Sequence, residues 1–140
     1  DMEGSRGLGD VYKRQPKEFR IKNSYEFSSI RRLGLRRVKP YFITQLKFSE
    51  SIDASAESKP LTRLGIIASR RVGNAVIRNR GKRIFRRLFY KHQSLLPEGS
   101  QLVVILRLGF NKMSFSQLEK DFLETCTWYQ KKFTQSEAVG

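Results

Sequence analysis

The sequence predicts a single-domain α+β sandwich: a small mixed sheet with helices, in the order α-β-β-α-β-α. Three observations carry that reading. Residues 41–48, 61–69 and 101–108 are short runs rich in β-branched, aromatic and aliphatic residues, bounded by turn formers. Residues 75–91 and 115–133 instead repeat apolar residues every three or four positions, the period of a helix with one buried face. A chain of 140 residues with 39% hydrophobic content has room for one modest core.

Residues 1–15, DMEGSRGLGDVYKRQ, are Gly-rich and without periodicity. They read as a disordered or non-native extension, and the domain is expected over 16–133. Ser24 to Leu33 is an amphipathic helix with Ser24 as its cap, Phe27 and Ile30 on its apolar side and Gly34 as its stop. A short extra strand fits Leu35–Val38. Tyr41–Phe48 (YFITQLKF) and Leu61–Ser69 (LTRLGIIAS) are the next strands, and the polar loop 49–60 between them suggests an antiparallel hairpin.

Ala75 to Lys91 is the central helix, with Asn74 or Gly73 as its cap. Projected at about 100° per residue, Ile77, Gly81, Ile84, Phe85 and Leu88 share one face, and Arg78, Arg80, Lys82, Arg83, Arg86 and Arg87 fan round the rest. A glycine inside a helix costs about 0.5–1 kcal/mol relative to alanine, a cost that close packing against a neighbour would offset, and Gly81 is the position of this face that the sequence explains least. QLVVILRL (101–108) is nearly continuously apolar, as in a strand buried on both faces. Ser114 with Gln117 gives a capping-box pattern at the start of the last helix, and Ser116 with Glu119 offers the same pattern two residues later. Its stripe runs Phe115, Leu118, Phe122, Cys126, Tyr129, Phe133. Residues 134–140 are expected to fray. The helices are expected to cover one face of the sheet and leave the other open to a ligand.

Charge narrows the function. Lys and Arg number 28 against 13 Asp and Glu, a net charge of +15. Nine of the 22 residues from Arg70 to Lys91 are cationic, and no acidic residue occurs between Ser58 and Pro97. A basic face on an amphipathic helix, without acids to pair with, fits an anionic partner. No run of 18 apolar residues suggests a membrane span, so nucleic acid is the better partner. Arginine's planar fork suits phosphate, and Asn79 between two arginines adds a donor and an acceptor. The single cysteine, Cys126, fits a reducing, cytoplasmic setting.

A protein active site is not evident. His92 is the only histidine, and it reads as a helix-end residue. Cys126 lies on an apolar stripe. Zinc needs three or four Cys or His ligands, and the chain has two such residues. Glu119, Asp121 and Glu124 read as a solvated helix face. No phosphate-binding glycine motif is present. No catalytic residue, bound cofactor or metal ligand is therefore assigned to the protein.

The stretch Gly65–Leu88, GIIASRRVGNAVIRNRGKRIFRRL, closely resembles the signature of the protein subunit of bacterial ribonuclease P. Arg78, Asn79 and Arg80 match its arginine–asparagine–arginine centre. Gly73, Asn74 and Ala75 match the lead-in, and Lys82, Arg83 and Arg86 the basic positions that follow. A weaker likeness extends from about Phe19 to Lys132. The resemblance implies an α–β sandwich with a left-handed crossover around the basic helix. It also implies a partner, the catalytic RNA, which removes the 5′ leader of precursor tRNA using Mg²⁺ while the protein supplies no catalytic group. By position, Arg70, Arg71, Asn74, Arg78, Asn79, Arg80, Lys82, Arg83, Arg86 and Arg87 are then expected to meet that RNA. Phe27, Arg31, Phe42 and Thr44 are expected to line a cleft for the single-stranded leader. Arg31 and Thr44 stand where some relatives carry aromatic residues, Leu88 where many carry an acid, and Gly81 where a bulkier apolar residue is usual. The alternative from the residues alone is a ribosomal-type protein binding structured RNA without a role in tRNA processing.

Overall fold

A computed structural model describes residues 20–49 and 61–139. The 1–15 extension and most of the 49–60 loop lie outside the described residues. The elements are α1 (Ser24–Leu33), β1 (Leu35–Val38), β2 (Phe42–Lys47), β3 (Arg63–Ile67), α2 (Ala75–His92), β4 (Gln101–Leu106) and α3 (Phe115–Val139). The α+β class is as expected, and the short strand at Leu35–Val38 is present.

Caps explain where the helices begin. Asn23, one residue before the expected Ser24, caps α1: its Oδ1 accepts from the Glu26 N–H at 2.8 Å. Asn74 caps α2 through Oδ1 and the Ile77 N–H at 3.0 Å. Gly73 precedes it at φ 154°, ψ −170°, a region reserved to glycine. At α3 the capping box forms as the sequence predicts: Gln117 N–H donates to Ser114 Oγ at 3.2 Å, and Ser114 N–H to Gln117 Oε1 at 3.1 Å. The helix then runs on to Val139, through the segment expected to fray.

The sheet order is β1-β2-β4-β3, which corrects the expected hairpin. Strand β2 pairs with β4 antiparallel, and β3 pairs with β4 parallel, so β4 stands between them. The reason is burial. Leu102, Val103, Val104 and Leu106 are each at most 4% exposed, on both faces of β4, and only an interior strand meets that demand. A parallel β3–β4 pair requires a crossover, and α2 supplies it.

The expectation of helices on one face is also corrected. Helices α2 and α3 pack on one face, where Phe42, Leu46, Leu64, Phe85, Leu88, Phe89, Leu102, Val104, Phe122 and Tyr129 form the main core. Phe85 meets Phe42 edge-on at 4.9 Å and Phe122 at 6.2 Å. Helix α1 crosses the opposite face, where Ile21, Ile30 and Val103 form a smaller cluster with Phe27 and Ile105. It covers that face only in part, and this partial cover creates the surface described next.

Candidate nucleic-acid interface

The basic helix is docked as its periodicity predicts. Gly81, Phe85, Leu88 and Phe89 are buried, whereas Asn79, Arg80, Arg83 and Arg87 are exposed and Arg78, Lys82 and Arg86 half-buried. Gly81 has a clear packing role. A Cβ there would lie 2.5 Å from Leu106 Cδ1 and 2.7 Å from Phe110 Cζ. The bare backbone lets α2 approach β4 closely, which fixes the helix and the aim of its outer face.

The expected contact residues divide by what already holds them. Arg70 and Arg71 are exposed on a 3₁₀ turn ahead of α2. Asn74 has its side-chain oxygen committed to the helix cap. Arg78 Nε donates to the Gly73 carbonyl at 3.2 Å, pinning that turn. Arg87 lies over the Phe115 ring at 5.2 Å and so ties α2 to α3. Arg80 and Arg83 have no ion-pair partner among the described residues. Burial lowers the pKa of Arg86, and the neighbouring Arg20 and Arg83 lower it further, yet a guanidinium stays charged at neutral pH. Cations held this close raise the local potential and favour an arriving phosphate.

A hollow of about 140 Å³ joins this helix to α1. Among the described residues it is lined by Arg20, Lys82 and Arg86 together with Phe27, Gly65 and Ile66, and by no carboxylate. Phe27 packs on the bare backbone of Gly65, where a Cβ would come within 2.7 Å of the ring. Glu26, next to it, is engaged by Arg63, whose hydrogen bonds hold the carboxyl below the usual range. The Glu26 charge is thus offset by Arg63.

Two expected cleft residues are corrected. Phe42 and Thr44 are fully buried in the main core. Phe42 packs on Phe85, and Thr44 Oγ1 is 2.9 Å from the Tyr129 hydroxyl, which donates to the Leu35 carbonyl at 3.2 Å. Strand alternation sends even-numbered β2 residues to α2 and α3, and odd-numbered ones to the α1 face. The open face therefore carries Ile43, Gln45 and Lys47. Register lines up Val38, Ile43, Ile105 and Ile67 in one aliphatic row across all four strands. Val38 is 55% and Ile67 39% exposed. The missed signal was in the sequence: Gln45 and Lys47 share the parity of Ile43, marking that side as the wetter one. Phe27 is half-buried beside this face, and Arg31 is exposed one turn further along α1.

The other titratable groups singled out in the sequence lie on α2 and α3. His92 Nε2 lies 2.7 Å and Lys91 Nζ 2.9 Å from Glu119 Oε2, and these contacts hold the Glu119 pKa below its ordinary value. Glu124 pairs with Lys39 at 3.1 Å. Burial pushes the Cys126 thiol up to about 12, so it is inert as a nucleophile at neutral pH. Among the described residues no three His, Cys, Asp or Glu side chains converge, and no helix is long and apolar enough to cross a membrane.

The ribonuclease P family pattern matches residues 15–130. The chain belongs to the ribonuclease P protein family. The ribonuclease P protein component of Streptomyces avermitilis is 37% identical over 108 residues, covering 76% of this chain and 87% of the relative. The Staphylococcus aureus RNase P protein superposes with a TM-score of 0.63 at 29% identity, over 76% of this chain and 90% of that one. The Thermotoga maritima RNase P protein gives 0.64 at 25% identity, over 76% and 94%. Family membership makes this chain a protein component of an endoribonuclease of tRNA processing, with an RNA subunit as its partner.

Proposed function

We propose that α2 docks the protein on the catalytic RNA, and that the partly covered sheet face receives the 5′ leader of precursor tRNA. The observation that carries this reading is the basic hollow shared by Lys82 and Arg86 of α2 and Phe27 of α1. It joins a phosphate-binding surface to an aromatic and aliphatic one, as a ribonucleoprotein needs when one chain serves both RNA and substrate. Arg70, Arg71, Arg80 and Arg83 supply exposed positive charge, with Asn79 between the arginines. Lys82 and Arg86 carry that charge towards the cleft. A helix enters the deep, narrow groove of duplex RNA poorly, so a folded RNA surface is the fitting target. In the cleft, Phe27 and the Val38–Ile43–Ile105–Ile67 row offer dispersion contact to bases, and Arg31 offers a cation to the leader backbone. In this reading the scissile chemistry belongs to the RNA subunit with its Mg²⁺ ions. The protein holds the complex together and orients the leader.

The deciding assay mixes the folded protein with bacterial ribonuclease P RNA and precursor tRNA at low Mg²⁺. Stimulated leader removal is expected, and its absence would overturn the reading. Phe27→Ala should weaken leader-bearing substrate by about 1–3 kcal/mol more than leaderless tRNA, the worth of one stacked base. Equal losses on both substrates would restrict Phe27 to packing on Gly65.

A further inference from the structure

The two edges of the sheet are finished differently. At the β3 edge the chain covers part of its own side: Arg20 bridges Leu64 in parallel, and the Ile21 N–H donates to the Leu64 carbonyl at 3.0 Å. At the β1 edge no such segment lies among the described residues. The Lys39 N–H donates to the Phe42 carbonyl at 2.9 Å, and with the register this makes Leu35 and Arg37 the residues bonded to β2. The N–H and C=O groups of Arg36 and Val38 therefore point away from the sheet, and no described residue hydrogen-bonds them. Leu35 and Val38 are exposed along this edge, and Arg36 and Arg37 stand on its opposite faces. On the α3 side, the Arg37 guanidinium lies 4.9 Å from the centre of the Trp128 ring. A groove of about 620 Å³ continues from there along α3, where Arg37, Lys120 and Lys131 line it together with Glu119 and Glu124.

We propose that the β1 edge is a docking site for a protein partner, an extended acidic segment that joins the sheet antiparallel as a fifth strand. Another extended backbone supplies both the acceptors and the donors that Arg36 and Val38 leave open. The adjoining groove carries carboxylates as well as cations, in contrast to the basic hollow beside α2, and so suits a peptide better than a polyphosphate. The two arginines select the occupant. A second copy of this chain pairing β1 with β1 would set arginine against arginine, and like charges directly opposite are destabilising. Two adjacent acidic residues in an added strand instead point to opposite faces, one to each arginine. Apolar residues on either side of them would cover Leu35 and Val38. The edge thus fits an apolar–acidic–acidic–apolar segment. It lies across the sheet from β3, whose Leu64, Gly65 and Ile66 line the hollow beside α2. The protein can therefore hold RNA on α2 and the acidic segment on β1 at the same time.

The test uses the full chain and a fluorescein-labelled synthetic peptide with a Val-Glu-Glu-Val core, at near-physiological salt. A peptide of equal charge, N-methylated at the first valine and the second glutamate, loses the two donors that would face β1. It should bind about 10-fold more weakly or worse, the worth of two hydrogen bonds. In wild type, the peptide should slow hydrogen exchange at the Arg36 and Val38 amides by about 10-fold or more, and leave the already bonded Leu35 and Arg37 amides unchanged. Reversing both charges, Arg36→Glu with Arg37→Glu, should move the preference to a Val-Lys-Lys-Val core. The acidic peptide should also stay bound when the protein is assembled with bacterial ribonuclease P RNA. Equal affinity for the N-methylated peptide would mean bare charge attraction and overturn the proposal. Unaltered exchange at Arg36 and Val38 would overturn it as well. Displacement of the peptide by ribonuclease P RNA would give this edge to RNA instead. If the charge-reversed variant does not fold, the N-methyl and exchange comparisons on wild type decide the matter alone.

Discussion

The two faces of the sheet are built to different standards. Against α2 and α3 the face is closed: Phe42, Leu46, Leu102 and Val104 are sealed under Phe85, Phe122 and Tyr129, and even the Thr44 hydroxyl has its partner. Under α1 the face is half open, with Val38 and Ile67 in solvent. The difference teaches where stability and binding are separated. A 25-residue helix and an 18-residue helix cover one side, and a 10-residue helix covers the other. That shorter cover leaves room for a ligand to complete the layer.

The largest effect should come from breaking the closed face. Phe85→Ala removes a fully buried ring shared by β2, α2 and α3, and should cost about 3–5 kcal/mol in urea denaturation. A loss below 1 kcal/mol would mean that the closed face is not the stability core. Next, Gly81→Val should cost about 1–3 kcal/mol by overpacking, because its Cβ would meet Leu106 and Phe110 well inside contact distance. The same substitution at a merely exposed helix glycine should be neutral or stabilising, so the sign reports the close approach of α2 to β4.

A smaller effect concerns the clamp between α2 and α3. The folded pKa of Glu119 is depressed from its ordinary 4.5, first by the His92 hydrogen bond and then by that of Lys91. The carboxylate thus contributes stability at neutral pH that disappears as pH falls below 4.5 through the lower folded value. Glu119→Gln should cost at most about 1 kcal/mol at pH 7, and nothing once wild type is itself protonated. A wild-type-minus-variant difference that stays constant from pH 7 to pH 3 would assign Glu119 a packing role instead. Smallest of all in stability should be Arg80→Ala, within about 0.5 kcal/mol for an exposed side chain. Its effect should appear in RNA binding, where the log–log salt slope should fall by about 0.7–0.9, one phosphate contact. An unchanged slope would remove Arg80 from the contact set.

Much of this was legible in the chain. The docked and cationic sides of α2 follow from a 3.6-residue period, and Asn74 and Ser114 announce their helices through local hydrogen bonds. The Arg78–Asn79–Arg80 centre identified the family before any coordinate was needed. Those features are local, determined by residues a few positions apart.

What lay beyond the sequence is non-local. In YFITQLKF both parities carry apolar side chains, and only the polar Gln45 and Lys47 mark the odd side as the wetter one, a signal too weak to keep Phe42 and Thr44 from being read onto the open face. Nothing in the spacing of two strands shows that a third, 34 residues beyond β3, inserts between them. The strand that needs both faces buried takes the middle, and the helix after β3 must cross over to reach it. Sequence by itself determined the helices, the caps of α2 and α3, and the charge of α2. Only tertiary structure decided which face α1 leaves open, because that depends on summed burial across strands that meet only when the whole chain is folded.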